Sequence, residues 1–266
     1  MNILEEIAEK TRERIRLEKQ KIPLEEVQKL AEARAGNREF PFEKAMRKPG
    51  MSFICEVKKA SPSKGVIAED FPYTEIAKEY EQAGASAISC LTEPYYFQGK
   101  DSYLEEIVET VSIPVLRKDF TIDEYMIYQA KAMGASAVLL ICAILDDGEL
   151  KAYGQLAKEL GLSALTEAHT EEEIHRALQA DAGIIGVNNR DLKTFQVDVR
   201  NGLKLRDLVP EDRIFISESG IRGPEEIALL YEKKTDGVLI GETFMKAADK
   251  KKMLENLQQN LPGGNV

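Results

Sequence analysis

Charged and amide side chains stand at the ends of the most apolar segments of this 266-residue chain. Five short hydrophobic segments of the kind that form buried strands each run into such residues, which are Glu56, Lys58, Lys118, Glu167, Asn188 and Glu218. Burying an ionised group costs free energy unless the group is paired or used. The pattern therefore predicts a ring of reactive groups at the carboxyl ends of parallel strands, the end that carries the active site in a (β/α)8 barrel.

Strand-like and helix-like segments alternate from residue 53 onwards, which favours a parallel sheet. Strands are predicted at residues 53–58, 86–91, 114–118, 136–141, 163–167, 183–188, 213–218 and 236–240. Helices are predicted between them, for example at Tyr73–Ala83, Tyr103–Val111, Asp123–Met133, Asp146–Leu160, Glu171–Gln179 and Pro224–Glu232. A weak repeat, Gly-Ala-Ser-Ala at Gly84 and again at Gly134, supports repeated units. Eight units predict a closed (β/α)8 TIM barrel, with a doubly wound open sheet as the alternative.

Residues 1–48 precede the first strand and have the pattern of charged helices. Two apolar stripes are separated by a break at Pro23, and their members are Ile3, Leu4, Ile7 and Thr11, then Leu24, Val27 and Leu30. No flexible linker follows them. We therefore predict an N-terminal helical extension over residues 1–48 and a barrel over residues 49–266.

Composition argues against several classes of protein. The net charge of −10 disfavours a nucleic-acid-binding protein, which usually carries a basic patch. No segment approaches the ~20 apolar residues of a membrane span. The three cysteines lie in apolar segments without a Cys-x-x-Cys motif, and the two histidines fit no zinc motif. These features predict a cytoplasmic protein without membrane partners, nucleic-acid partners or a metal site.

Strand periodicity places the reactive side chains. Successive residues of a strand point to opposite faces, so Glu56 and Lys58 are expected to share the interior face. Lys118 is likewise expected to point inward, while Arg117 points outward. His169, just beyond Glu167, is expected to be structural. Acid–base chemistry therefore falls to lysine and glutamate.

Two late segments predict a phosphate site. Ser217-Glu-Ser-Gly-Ile follows the seventh predicted strand, and Ile240-Gly-Glu-Thr follows the eighth. Loops in these positions of a barrel often bind phosphate through backbone N–H groups. Ser219, Gly220 and Gly241 suit that role, because a glycine lets the backbone approach an anion closely.

Five motifs in order resemble the indole-3-glycerol phosphate synthase family of tryptophan biosynthesis. They are Phe53-Ile-Cys-Glu-Val-Lys-Lys-Ala-Ser-Pro-Ser-Lys-Gly, Thr92-Glu-Pro-Tyr-Tyr-Phe-Gln-Gly, Val115-Leu-Arg-Lys-Asp-Phe, Gly186-Val-Asn-Asn-Arg-Asp-Leu and Ser217-Glu-Ser-Gly-Ile. The resemblance implies a monomeric barrel enzyme without cofactor. Such an enzyme converts a phosphosugar-anthranilate substrate, 1-(2-carboxyphenylamino)-1-deoxyribulose 5-phosphate, to indole-3-glycerol phosphate, carbon dioxide and water.

The resemblance also implies roles for individual residues. Lys118 is similar to the general acid that protonates the substrate carbonyl oxygen, and Glu167 and Lys58 to further acid–base groups, either of which could serve the dehydration. The other implied roles are orientation of the lysines and sugar hydroxyls (Glu56, Glu218), contact with the anthranilate side (Asn188), support of the site (Arg190), phosphate binding (Ser61, Ser219, Gly220, Gly241) and an aromatic-ring pocket (Pro62, Phe97, Phe120, Leu139, Leu192).

The sequence departs from the family pattern at two places. Thr166 and Ala168 flank Glu167 where relatives usually carry valine, which predicts looser packing around a retained glutamate. Glu242 stands where some relatives carry serine, which puts a side-chain contact with phosphate in doubt. Two alternatives stay open at this stage. One is a phosphoribosylanthranilate isomerase-like barrel, although no cysteine ends a strand with inward orientation. The other is a non-catalytic phosphosugar-binding barrel.

Overall fold

Eight parallel strands close into a barrel in this computed structural model, which describes residues 3–34, 39–191 and 195–262. In the order of their hydrogen-bonded neighbours, the barrel strands are β1 (Ser52–Val57), β4 (Ala87–Leu91), β5 (Val115–Lys118), β6 (Ala137–Ile141), β7 (Ser163–Ala168), β8 (Ile184–Asn188), β9 (Ile214–Glu218) and β10 (Gly237–Ile240). A small hairpin, β2 (Ala60–Ser61) and β3 (Gly65–Val66), follows β1. The predicted TIM barrel is confirmed, and closure of the sheet excludes the open alternative.

Helices follow the strands and cover the outside of the barrel. They are α4 (Tyr73–Ala83), α5 (Asp101–Thr110), α6 (Glu124–Met133), α7 (Asp147–Glu159), α8 (Glu171–Gln179), α9 (Arg200–Arg206), α10 (Pro224–Glu232), α11 (Glu242–Lys246) and α12 (Lys250–Gln258). The bounds of α4, α8 and α10 are those predicted. No bounds were predicted for α9, α11 and α12, and the β2–β3 hairpin was missed. None of the described helices is long and apolar enough to cross a membrane.

The strand register separates an interior core from an outer one. Interior positions of successive strands meet in one apolar cluster that includes Ile54, Leu116, Leu139, Leu165, Ile216 and Leu239. Outward residues such as Cys55 and Val138 pack instead against the helices. Side chains alternate between the two faces of each strand. The inward-facing residues at the carboxyl end of each strand therefore lie above the interior core, at the mouth of the barrel. This end is where the polar strand termini gather.

The N-terminal extension contacts both ends of the barrel through α1 (Ile3–Lys21), α2 (Leu24–Ala33) and α3 (Pro41–Met46). Phe42 and Met46 of α3 enter the interior core, and Ser52 at the start of β1 donates a hydrogen bond to the carbonyl of Ala45 at 3.2 Å. Helix α3 therefore packs at the amino end of the barrel.

One apolar stripe of the extension was predicted correctly and the other only in part. Leu4, Ile7 and Thr11 of α1 are buried as expected. In α2, Val27 is buried, but Leu30 is 51% exposed and Ala31 is buried in its place. Val27 and Ala31 are four residues apart and therefore lie on one helix face, which the spacing Val27–Leu30 also allowed.

Candidate active site

A cavity of about 690 Å³ opens at the carboxyl ends of the barrel strands. All predicted site residues that the structure describes line it, namely Glu56, Lys58, Ser61, Pro62, Phe97, Lys118, Phe120, Leu139, Glu167, Asn188, Arg190, Glu218, Ser219, Gly220 and Gly241. Leu192 lies outside the described residues. Residues far apart in the sequence thus surround one space of a size typical for small-molecule sites.

Lys118 stands between two carboxylates inside this cavity. Its Nζ atom donates hydrogen bonds to Oε2 of Glu218 at 2.7 Å and to Oε2 of Glu167 at 3.1 Å. On β1, Lys58 forms an ion pair with Glu56. Arg117 points outward, as the strand parity predicts, and donates to Asp101 at 2.9 Å. The interior therefore presents two lysines, each paired with carboxylates from the strand ends.

Burial and mutual proximity set the charge states of these groups. Burial alone would lower the pKa of Lys118, but the carboxylates of Glu218 and Glu167 outweigh it and raise that pKa. Burial, together with the neighbouring Glu167, raises the pKa of Glu218 to about 7 although Lys118 opposes this. Burial would also raise the pKa of Glu167, yet Lys118 and His169 hold it below its usual value. Near neutral pH, Lys118 is a charged acid, Glu167 a charged base and Glu218 a group close to its titration midpoint.

Two glycines make room for the carboxylates. A Cβ atom at Gly186 would collide with Oε1 of Glu218, and one at Gly241 would collide with Oε1 of Glu56. Gly241 was predicted for its approach to phosphate, and this second reason was missed. Gly186 was not predicted as a site residue at all. Its position inside a buried strand is the available signal, because such a glycine often marks a close approach.

The loop after β9 has the backbone shape expected of an anion site. Ser219 and Gly220 both have positive φ angles, +67° and +86°. Asn189, which sequence reasoning missed, holds this loop: its Nδ2 donates to the carbonyl of Ser219 and to Oγ of Ser217, both at 3.0 Å. The loop is therefore fixed before any ligand arrives.

Positive side chains stand at the rim beside this loop. Lys64, Arg222 and Lys246 line the cavity and were not predicted. Glu242 pairs with Lys246 at 2.5 Å and with Lys64 at 4.0 Å. Glu242 thus lies beside two cations at the rim of the cavity.

Apolar side chains form another wall of the cavity. The rings of Phe97 and Phe120 lie 6.3 Å apart in a tilted arrangement. Ile3, Leu4 and Ile7 of α1 also line the cavity, so the N-terminal extension reaches the site. This wall is suited to an aromatic ring, because flat apolar groups pack well against such side chains.

Asp119, the residue after Lys118, is a buried anchor that sequence reasoning missed. Its carboxylate accepts hydrogen bonds from Nη2 of Arg14 at 2.9 and 3.0 Å and from Oγ1 of Thr92 at 2.6 Å. Burial would raise the pKa of Asp119, but Arg14 and Arg117 lower it. Helix α1 is therefore tied to the end of the strand that carries Lys118.

The residues flanking Glu167 point away from the cavity. Thr166 and Ala168 are both buried, and Ala168 packs with Ile174 and Val187 between the strands and α8. His169 follows directly and does not line the cavity, but its Nε2 lies 3.6 Å from Oε1 of Glu167. Among the described residues, no group of three or more His, Cys, Asp or Glu side chains forms a metal site.

Solved structures of low sequence identity share the fold. The 3-hexulose-6-phosphate synthase of Salmonella typhimurium aligns with a TM-score of 0.66 at 13% identity, covering 79% of this chain and 98% of that one. At this identity the likeness concerns the barrel alone.

Sequence comparison gives a closer relationship. The family model described as indole-3-glycerol phosphate synthase matches residues 4–257. The indole-3-glycerol phosphate synthase of Lachnoclostridium phytofermentans is 53% identical, with 97% of this chain and all of the relative aligned. That of Endomicrobium trichonymphae is 57% identical over 82% of this chain and 84% of the relative. Motifs, barrel and relatives agree, and the chain belongs to the indole-3-glycerol phosphate synthase family.

Proposed function

We propose that the cavity at the barrel mouth carries out the reaction of this family, with Lys118 as the general acid. The reaction closes the indole ring of 1-(2-carboxyphenylamino)-1-deoxyribulose 5-phosphate and releases carbon dioxide and water, which makes the enzyme a carboxy-lyase of tryptophan biosynthesis. The observation that carries the assignment is the position of Lys118, whose ammonium group is held by Glu167 and Glu218 inside the cavity.

Ring closure needs a proton on the substrate carbonyl oxygen as the ring carbon attacks. Lys118 is charged and confined, so it can donate that proton and stabilise the developing negative charge. Its two carboxylate partners fix the direction of the amine. Glu167, held as an anion, is suited to accept a proton from the substrate in a later step.

Decarboxylation and dehydration complete the reaction. An apolar wall with Phe97, Phe120 and Leu139 favours loss of the substrate carboxylate as neutral carbon dioxide, since a desolvated anion is destabilised there. Dehydration needs one acid and one base, and Glu167 and Lys58 are the candidates. Glu56 keeps Lys58 at the interior face, and Glu218 does the same for Lys118.

Substrate binding is assigned to three parts of the cavity. The loop with Ser219 and Gly220, together with Ser61 and Gly241, is proposed to take the phosphate, with Lys64 and Lys246 as nearby cations. Asn188 is proposed to hold the anthranilate side, and Arg190 is proposed to support the site. In the structure, Oδ1 of Asn188 accepts a hydrogen bond from the backbone N–H of Arg190 at 3.1 Å, which couples these two residues.

A turnover assay tests the proposal. Purified protein mixed with the carboxyphenylamino-deoxyribulose phosphate should produce indole fluorescence and carbon dioxide. Lys118→Ala should lose ~10²–10⁴-fold in kcat while remaining folded, because one general acid typically contributes that much. Glu167→Gln should lose kcat with a smaller change in KM. Binding without turnover, or a Lys118→Ala variant within threefold of the parent, would overturn the assignment.

Three finer expectations accompany the proposal. We predict a cytoplasmic monomer that needs neither cofactor nor metal. Fractionation of cells measures the location, gel filtration with light scattering measures the oligomeric state, and turnover of the dialysed, chelator-treated protein measures the independence from cofactor and metal.

A further inference from the structure

His169 is a buried titratable group that the proposed mechanism leaves unused. It follows β7 and lies behind Glu167, with 13% of its side chain exposed. Nε2 lies 3.6 Å from Oε1 of Glu167, and Nδ1 lies 3.4 Å from Oε2 of Glu173 in α8. Both ring nitrogens are buried without a hydrogen-bond partner. A purely structural histidine is expected to use at least one ring nitrogen in a hydrogen bond, because leaving a buried polar atom unsatisfied costs free energy.

The surroundings of the ring favour its charged form. Besides Glu167 and Glu173, Glu218 acts on it from β9, whereas Asn201 from α9 reaches only its backbone carbonyl, at 3.3 Å. The thiol of Cys142, after β6, donates to the carbonyl of Glu173 at 3.7 Å. Burial alone would lower the pKa of His169, but the carboxylates of Glu173 and Glu167 outweigh burial and raise it. His169 therefore stands between a carboxylate of the site and one outside it.

The chemistry of the reaction demands a proton from solvent. Lys118 gives a proton to the carbonyl oxygen, and that oxygen leaves as water. The carboxylate leaves as neutral carbon dioxide, so no proton comes back from that step. The dehydration takes one proton from an acid and returns one to a base. Each turnover thus consumes one proton, and Lys118 is left as a neutral amine that must be recharged.

We propose that His169 is a positioning residue for Glu167 and its proton reservoir, an imidazolium held by Glu173 that recharges Glu167 and through it Lys118. The Nε2 proton passes to Oε1 of Glu167, and Glu167 then protonates the Lys118 amine, whose nitrogen lies 3.1 Å from Oε2. With Lys58 as the acid and Glu167 as the base of the dehydration, Glu167 returns the proton it takes from the substrate to the neutral imidazole. Lys58, which lines the open cavity, then takes the net proton of each turnover from solvent. This inference rests on the proposed function, since it needs Lys118 to act as the acid.

Steady-state kinetics of His169→Gln provide the first test. The glutamine fills similar space but cannot carry the proton, so kcat should fall by about 100-fold, since misplacing a reactive group by about 1 Å can cost that much in rate, with KM nearly unchanged. His175→Gln is the matched control, because it changes the chain's other histidine, which is 57% exposed and paired with Glu171 at 3.8 Å. In His169→Ala, added imidazole should restore kcat in proportion to its concentration, and it should not accelerate the parent.

Proton NMR provides a test that does not use activity. In His175→Gln a single imidazole remains, so its C–H resonances report His169 alone. Glu173→Gln in that background should shift the titration midpoint to lower pH, because it removes a carboxylate beside Nδ1. The amide oxygen of the new glutamine can still accept the hydrogen bond that the backbone N–H of His169 gives Glu173 at 2.6 Å.

The outcomes separate this inference from the proposed function. If the unchanged protein does not turn over the substrate, the function fails, whatever the NMR titration shows. If it does turn over and His169→Gln keeps the kcat and pH profile of His175→Gln, the proton reservoir is refuted. A midpoint unmoved by Glu173→Gln would equally remove Glu173 from the arrangement. Should His169→Gln fold poorly, His169→Asn with the same imidazole titration gives the kinetic answer.

Discussion

The carboxylate of Glu218 occupies the space above Gly186 where any other residue would place its Cβ atom. Gly186 lies inside β8 and Glu218 ends the neighbouring strand β9, and both face the barrel interior. Glu218 can therefore turn toward Lys118 only because its neighbour has no side chain. The geometry of a proposed catalytic pair thus depends on a residue without functional groups.

Gly186→Ala should therefore disturb catalysis without unfolding the barrel. The methyl group would push the Glu218 carboxylate aside and misplace the Lys118 amine, and misplacement by about 1 Å can cost on the order of 100-fold in rate. We expect kcat to fall ten- to 100-fold and stability to fall by about 1–3 kcal/mol, as for other overpacked sites. Gly183→Ala is the control, because a Cβ at Gly183 would meet no atom within 4 Å. Equal kcat values for both variants would contradict the steric account.

The raised pKa of Glu218 predicts a pH-dependent stability. Folding raises this pKa from 4.5 to about 7, so in that interval the folded chain keeps a proton that the unfolded chain has released. The contribution of Glu218 to stability is thus present at low pH and falls as the pH rises from about 4.5 to 7. Relative to the parent, Glu218→Gln should gain stability as the pH rises from about 4.5 to 7, as measured by urea unfolding.

Inorganic phosphate should compete with the substrate through the loop of Ser219 and Gly220. Gly220→Val should raise KM strongly and weaken inhibition by phosphate. We expect this effect because the loop would be distorted, not because the valine would block the anion directly. The new side chain would collide with Val197 and Val199, and the φ of +86° disfavours valine. Gly50→Val is the control that separates the collision from the unfavourable φ, because Gly50 has φ +94° but no atom within 4 Å of the position of a Cβ. An enzyme insensitive to phosphate would place the anion site elsewhere.

Removing the extension over residues 1–48 should leave a folded barrel with two defects. Ile3, Leu4 and Ile7 line the cavity, so KM should rise. Arg14 binds the buried Asp119, and Phe42 and Met46 fill the amino end of the barrel interior, so the melting temperature should fall as well. Arg14→Met tests the second effect alone: breaking a buried ion pair typically costs about 3–5 kcal/mol, and KM should stay near the parent value. A truncated chain that is as stable and as active as the parent would refute both roles.

The strand ends were predictable because their signal is local. Alternation with a period of two places Lys118 inside and Arg117 outside from sequence alone, and the structure has both as expected. The eight strands themselves follow from apolar segments bounded by glycines and polar residues. Short helices such as α9 and α11 carry too few residues for a clear period, so the sequence did not define their bounds.

Partnerships across the chain could not be predicted in the same way. Arg14 and Asp119 are 105 positions apart, and nothing near either residue in the sequence indicates the other. The same holds for Glu242 and Lys64, which meet only once the loops after β1 and β10 are side by side. Leu30 shows that even a local pattern can be ambiguous. The apolar residues of α2 fit two helix faces, and only tertiary packing selects the face that is buried.

Closure of the barrel has a consequence for how activity arises during synthesis. Strand β1 pairs with β10 in the register Ser52 to Gly237, so the first and last barrel strands become neighbours only after nearly the whole barrel has left the ribosome. Glu56 and Lys58 meet Gly241 at that seam. Such distant pairings form slowly, because a long stretch of chain must be ordered first. The nascent enzyme is therefore expected to gain its catalytic centre in one late event, and chains halted before β10 should contribute no turnover.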